Sequence, residues 1–148
     1  MSALQFEFDL DPNLVIDPLK ITSVVSSRSF LGGNWLVQTK HKLFNEPEVK
    51  KWFLPVDCSY WNIQVFTTVD AGTVIPSHQH DEPVLRHILS GSMELNGELL
   101  EAGDWVIVPA NFKYGIQTRD GYKILSAYHD NCAECKWESL SKLPLGKI

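Results

Sequence analysis

His78 and His80, one residue apart, are the pair in this chain whose spacing could do chemistry. In an extended strand side chains alternate faces, so both imidazoles point the same way. Neutral imidazole is the commonest side-chain donor to zinc, copper, nickel and iron, and the pair therefore suits a metal ion. A bare His-x-His also arises where each ring simply bonds a carbonyl or a water. The same parity carries Glu82, Val84 and Arg86 inward, provided that Pro83 introduces no bulge. Glu82 then reads either as a carboxylate ligand, completing a set of two histidines and one carboxylate, or as a solvated loop acid beside Asp81. Arg86 in an interior is costly unless it is paired or wet. It either pairs with Glu82 or reads an anionic substrate through its planar fork, and the two roles compete. His87 has the opposite parity and is expected to face outward, at a surface or dimer contact.

The elements that must position these residues are strands. From Tyr60 onward β-prone runs alternate with turn signals: Tyr60–Thr68, Val84–Ser90 ending at Gly91, Trp105–Val108, Tyr114–Thr118 and Tyr122–His129. Between Met93 and Leu100 the dipeptide Asn96-Gly97 predicts a hairpin closed by a type I′ turn. Many short strands with evenly spaced turns imply an all-β sandwich or barrel, whose closed interior can hold a ligand. Before Tyr60 the pattern is weaker. Ile21–Val25 predicts an edge strand or an arm reaching a second subunit, and Trp35–Thr39, after the turn signal Gly32-Gly33-Asn34, predicts a short strand. Asn45-Glu46-Pro47-Glu48 predicts the start of a helical turn.

The glycines and histidines of residues 72–91 resemble the first motif of the cupin superfamily: Gly, five residues, His-x-His, three or four residues, Glu, six residues, Gly. Gly72, His78, His80 and Gly91 fall in place, and Val84 stands where the metal-binding glutamate should. The second cupin motif, Gly, five residues, Pro-x-Gly, two residues, His, is matched by Gly103 and Pro109. Asn111 replaces its glycine, a mild change because Asn tolerates positive φ. Tyr114 replaces its histidine, which is not mild. The resemblance spans residues 60–129 and implies a cupin-type double-stranded β-helix, a jelly-roll barrel. One domain over residues 1–148 is then expected: an N-terminal arm at 1–30, the barrel core at about 60–129 and an extension at 130–148.

Composition bounds the function. The 148 residues are enough for one domain with a core, and 44% hydrophobic with 21% charged residues is an ordinary globular balance. A net charge of −5 attracts neither nucleic acid nor an anionic membrane. The first residues carry no basic and apolar leader pattern, and no apolar run is long enough to span a bilayer, so a cytoplasmic protein is expected. Three cysteines make no disulfide framework; Cys58 reads as a buried small hydrophobe, and Cys132 and Cys135 as reduced thiols in the extension. Phosphate-binding and nucleophile-elbow motifs are absent.

By resemblance, the function implied is that of a small metal-binding cupin. Its form looks like the dioxygenases that cleave carbon–carbon bonds in diketones or aromatic ketones. The resemblance implies one divalent metal on His78, His80 and Glu82, iron(II) first and zinc or nickel otherwise. Arg86 would neutralise a substrate anion, and Tyr114 would orient it or serve as an aromatic core residue. His41 and His129 stand as candidate third nitrogens, and Glu94 and Glu98 as reserve carboxylates. A zinc or nickel isomerase or hydrolytic enzyme is a third possibility. The alternative to an enzyme is a barrel with a degenerate metal site that binds a small anionic or aromatic ligand. Cupins commonly pair through N-terminal strands, so a homodimer is expected.

Overall fold

The computed structural model describes residues 11–40 and 48–129. Its strands are β1 (Val25–Ser26), β2 (Ile63–Val69), β3 (Val74–His78), β4 (Val84–Leu95), β5 (Glu98–Glu101), β6 (Trp105–Val108), β7 (Tyr114–Gln117) and β8 (Tyr122–Tyr128). They pair antiparallel. One layer runs β1-β6-β4-β8-β2 and the other β5-β4-β7-β3. β4 belongs to both. Its first half pairs with β6 and β8, and its last residues, Ser92–Leu95, pair with β5.

A strand shared in this way must bend, and β4 bends at a bulge between Ile88 and Ser90. Gly91 follows at φ +76°, and a β-carbon there would lie 2.0 Å from the carbonyl oxygen of Gly121. Only glycine meets both conditions. The strand therefore continues through Gly91, where the sequence predicts it to end. At the hairpin, Asn96 and Gly97 both have positive φ, as the I′ turn requires.

Two apolar clusters bury the two faces of the first layer. Between the layers lie Ile88, Met93, Leu95, Leu100, Val106, Val108, Tyr114, Ile116, Tyr122 and Ile124. On the outer face Leu85, Trp105, Ile107 and Ala127 pack against Ile16, Trp35, Val56 and Trp61 from the segment that precedes the barrel. Covered on both faces, β6 is buried at every position and shows no alternation.

The covering segment departs from the sequence reading in three places. Trp35–Thr39 is one turn of helix, α1, and not a strand. Positions i and i+4 of a helix share a face, so Trp35 and Thr39 are buried together, and the Trp35 ring packs edge-on against Trp105 at 5.6 Å. Thr39 Oγ1 donates to the carbonyl of Trp35 at 2.8 Å. Of the run Ile21–Val25 only Val25 enters a strand, and β1 pairs with β6 of the same chain. Asp104 anchors it: its carboxylate accepts from Ser27 Oγ at 2.8 Å and from Arg28 Nε at 2.8 Å. Burial alone would raise the Asp104 pKa, but the N–H of Glu101 and these two side chains outweigh it and hold the group below its ordinary value. Cys58 is exposed rather than buried. The predicted turn at Asn45, His41 and the pair Cys132 and Cys135 lie outside the described residues. Among the described residues no helix is long and apolar enough to cross a membrane.

Two outcomes are expected. Gly91→Ala lowers unfolding free energy by about 3 kcal/mol in urea titrations, the upper end of ordinary single substitutions. The second concerns His87, whose pKa burial pushes below its ordinary value of 6.5. Because the folded form resists the proton, the unfolded chain binds more protons below 6.5, and stability falls as pH drops through that region. In His87→Phe, denaturation midpoints between pH 7 and pH 5 change less than in the wild type.

Candidate functional site

β3 ends at His78, which pairs in register with Tyr114 of β7. Pro76 has no N–H to give the ladder, and the register slips between Ile75 and His78. Residues 79–83 leave the sheet and form a loop that leads into β4. Several hydrogen bonds hold this loop. The N–H of Asn111 donates to the carbonyl of His80 at 2.7 Å. Trp61 Nε1 donates to the carbonyl of Pro83 at 3.0 Å. The hydroxyl of Tyr60 donates to Glu82 Oε2. Asn111 makes its bond from a left-handed conformation, φ +59°, where the matching motif has glycine.

The loop brings the two histidines together as the spacing predicts, with ring centroids 5.2 Å apart and planes at 83°. Tyr114 lies beside both, 4.6 Å from the His78 ring and 6.1 Å from that of His80. The ring of Tyr128 is 6.0 Å from that of His80. His80 is buried, whereas His78 is half-buried and its Nδ1 lies 2.9 Å from the carbonyl oxygen of Pro76.

Arg86 comes from β4 on the inner face, at 7% exposure. Its Nη2 donates to the Tyr114 hydroxyl at 2.7 Å and its Nη1 to Ser126 Oγ at 2.9 Å. Its Nε is buried without a hydrogen-bond partner. The guanidinium carbon lies 5.8 Å from the centre of the Tyr114 ring. Burial opposes the charge, yet the neighbouring oxygens of Tyr114 and Tyr128 outweigh it and raise the pKa, so the group stays cationic. Among the described ion pairs none involves Arg86. Of the two roles open to it in the sequence, pairing with Glu82 is therefore not the one adopted.

Glu82 is diverted because it sits on the loop and not on a strand, so strand parity no longer aims it at the histidines. Among the described residues no group of three or more His, Cys, Asp or Glu side chains is placed to hold a metal ion. The described residues thus bring together two imidazoles and a phenol. The other candidates among the described residues make contacts of their own. Glu94 accepts from Gln117 Nε2 at 2.6 Å on an exposed surface, and Glu98 accepts from Ser26 Oγ at 2.8 Å. His129 stacks on Tyr60 at 4.4 Å.

Ser126 and Tyr128 are site residues that the sequence reading did not single out. The signal was present in their parity: with Tyr122 and Ile124 they form the i, i+2 series of β8, and Ser126 is the register partner of Arg86. Tyr60 falls in a β-prone run, and the sequence carries no signal for its contact with Glu82.

No protein-family model matches the chain, and no curated protein is significantly similar to it. Among solved structures it is similar to an RmlC-like cupin from Shewanella frigidimarina, at 21% identity and a TM-score of 0.45 over 53% of this chain and 69% of that one. It is also similar to the salicylate 1,2-dioxygenase of Pseudoaminobacter salicylatoxidans, at 22% identity and a TM-score of 0.39. That match covers 51% of this chain and only 21% of the dioxygenase. Neither likeness says what this chain binds or does. Its own antiparallel pairing, with β4 shared by two layers, gives the chain an all-β, two-layered architecture.

Proposed function

We propose that the barrel binds a small organic anion, a carboxylate or an enolate, with Arg86 as its counter-charge. The observation that carries this reading is the buried guanidinium whose bonded partners, Tyr114 and Ser126, are neutral hydroxyls. An interior cation without a carboxylate is an electrostatic cost that an anionic ligand removes. Tyr114 touches both Arg86 and His78, so its hydroxyl orients the anion beside the imidazoles.

A second reading, a metal-dependent dioxygenase acting on a diketone or aromatic ketone, rests on the adjacency of His78 and His80. A divalent metal, iron(II) or else zinc or nickel, would supply Lewis acidity and a site for oxygen there. The described residues bring the pair no third His, Cys, Asp or Glu ligand, so no step of such a reaction is assigned to it.

Calorimetric titration with benzoate and with acetylacetonate tests the first reading. Wild type binds at least one of them, more weakly in high salt, and Arg86→Met loses the binding. A ligand at one hundred times its dissociation constant also adds about 2.7 kcal/mol to the unfolding free energy. Equal binding by Arg86→Met, or none by wild type, overturns the proposal. Elemental analysis of protein purified without chelator separates the second reading. About one equivalent of metal that survives Cys132→Ala with Cys135→Ala, but not His78→Ala with His80→Ala, supports it.

The buried contact between Tyr114 and Arg86 makes its own prediction. Tyr114→Phe strands a guanidinium donor and costs about 1–3 kcal/mol of stability. In an Arg86→Met background the same change costs less, and a double-mutant cycle by urea denaturation measures the coupling. Additive effects would contradict the geometry.

A further inference from the structure

Four strands have a single neighbour among the described residues: β1, β2, β3 and β5. The open side of such a strand presents unpaired N–H and C=O groups, a template for another strand, and proteins usually blunt it. Three of the four are blunted. β1 is two residues long, β3 contains Pro76 and a slipped register, and β5 carries Glu98 and Glu101 within four residues. β2 is the exception. Its seven residues, Ile63-Gln64-Val65-Phe66-Thr67-Thr68-Val69, include no charge, no proline and no glycine. All seven keep an unbroken register with β8, so the strand is regular along its whole length.

The side chains of β2 match a second copy of itself. Gln64, Phe66 and Thr68 share one face and are exposed, Phe66 by 59%. In an antiparallel ladder between two copies that keeps each side chain on its own face, the two-fold axis passes through one residue. Overlap of all seven residues puts that axis at the fourth, Phe66. Phe66 then lies beside its own copy, Val65 opposite Thr67, Gln64 opposite Thr68, and Ile63 opposite Val69. Aromatic pairs and β-branched pairs set directly opposite each other are those that stabilise sheets, whereas like charges there oppose pairing. A symmetric contact would set an axial charge against itself, and β2 carries none.

We infer that two copies of this chain join through β2, edge to edge and antiparallel about Phe66, so that the layer β1-β6-β4-β8-β2 continues into its copy. This contact is an addition of a strand to an open sheet edge, with main-chain bonds for affinity and the Phe66 pair for register. It does not use the run Ile21–Val25, whose strand residue Val25 pairs with β6 of the same chain.

Sedimentation of the full chain reads the association. Wild type is a dimer at micromolar concentration. Phe66→Lys sets two like charges against each other on the axis and raises the dissociation constant about a hundredfold. Phe66→Glu alone does the same, and mixing the two variants restores a dimer, because position 66 meets only itself. Val74→Lys, on the edge of β3, leaves the dimer unchanged, and circular dichroism confirms that each variant folds. Cysteine cross-linking reads the register. In a Cys58→Ser, Cys132→Ser, Cys135→Ser background, Phe66→Cys gives a disulfide-linked dimer on mild oxidation. Opposed residues of antiparallel strands stand roughly 4.5–5.5 Å apart, within disulfide reach. Thr68→Cys gives none, since its two copies lie about 13 Å apart. A monomeric wild type, a dimer that Phe66→Lys leaves intact, or no recovery on mixing overturns the inference. Loss of the dimer in Val74→Lys, or cross-linking of Thr68→Cys as fast as Phe66→Cys, does so too. If the charged variants do not fold, the two cysteine variants decide it.

Discussion

A strand that serves two layers must turn between them without losing its ladder, and β4 does so where Gly91 crosses Gly121. The approach leaves no room for a β-carbon, and the backbone there is left-handed. Everything inward of that bend follows from it. The half before Gly91 lays Leu85, Arg86, His87 and Ile88 across β6 and β8, and the half after it closes the opposite layer through β5 and β7. The inner apolar cluster fills the space that the bend encloses.

Within that enclosure Arg86 is a buried cation. Replacing a buried charge with an apolar side chain of similar volume is often neutral or stabilising, so Arg86 is weakly explained by stability. Its two hydroxyl partners satisfy part of the guanidinium fork and hold its plane, while leaving its charge uncompensated by any described carboxylate. Groups retained against stability are typical of sites, and this one adjoins the histidine pair through Tyr114. Tyr114 is thus the link between the imidazoles and the cation.

The covering segment changes what the outer face can be. An antiparallel layer commonly leaves one face in water. Here residues before the barrel lie across it, and Trp35 and Trp61 bury Trp105 and Leu85 from outside. Among the described residues, His87 and Val56 line one cavity between the layer and this cover. Consecutive residues of one strand therefore stand in unlike settings, Arg86 against two inward hydroxyls and His87 beside an outer-face pocket.

Much of this was legible in the sequence because strand and turn signals are local. Close spacing kept His78 near His80, alternation set Arg86 inward and His87 outward, and Asn96-Gly97 named its own turn. Spacing of glycines, histidines and Pro109 pointed to the barrel, and Asn111 adopted the conformation its glycine position implied. What alternation could not supply were contacts between segments distant in the chain. Glu82 left the histidines because residues 79–83 form a loop held by Tyr60 and Trp61, some twenty residues away, and parity ends where a strand ends. Trp35–Thr39 has β-prone residues, yet burial of Trp35 and Thr39 on one face made it helical. Ser126 became a partner of Arg86 only through the β4–β8 register. Sequence by itself determined which residues could point the same way; tertiary structure decided which of them met, because register and loop closure are properties of the assembled sheet.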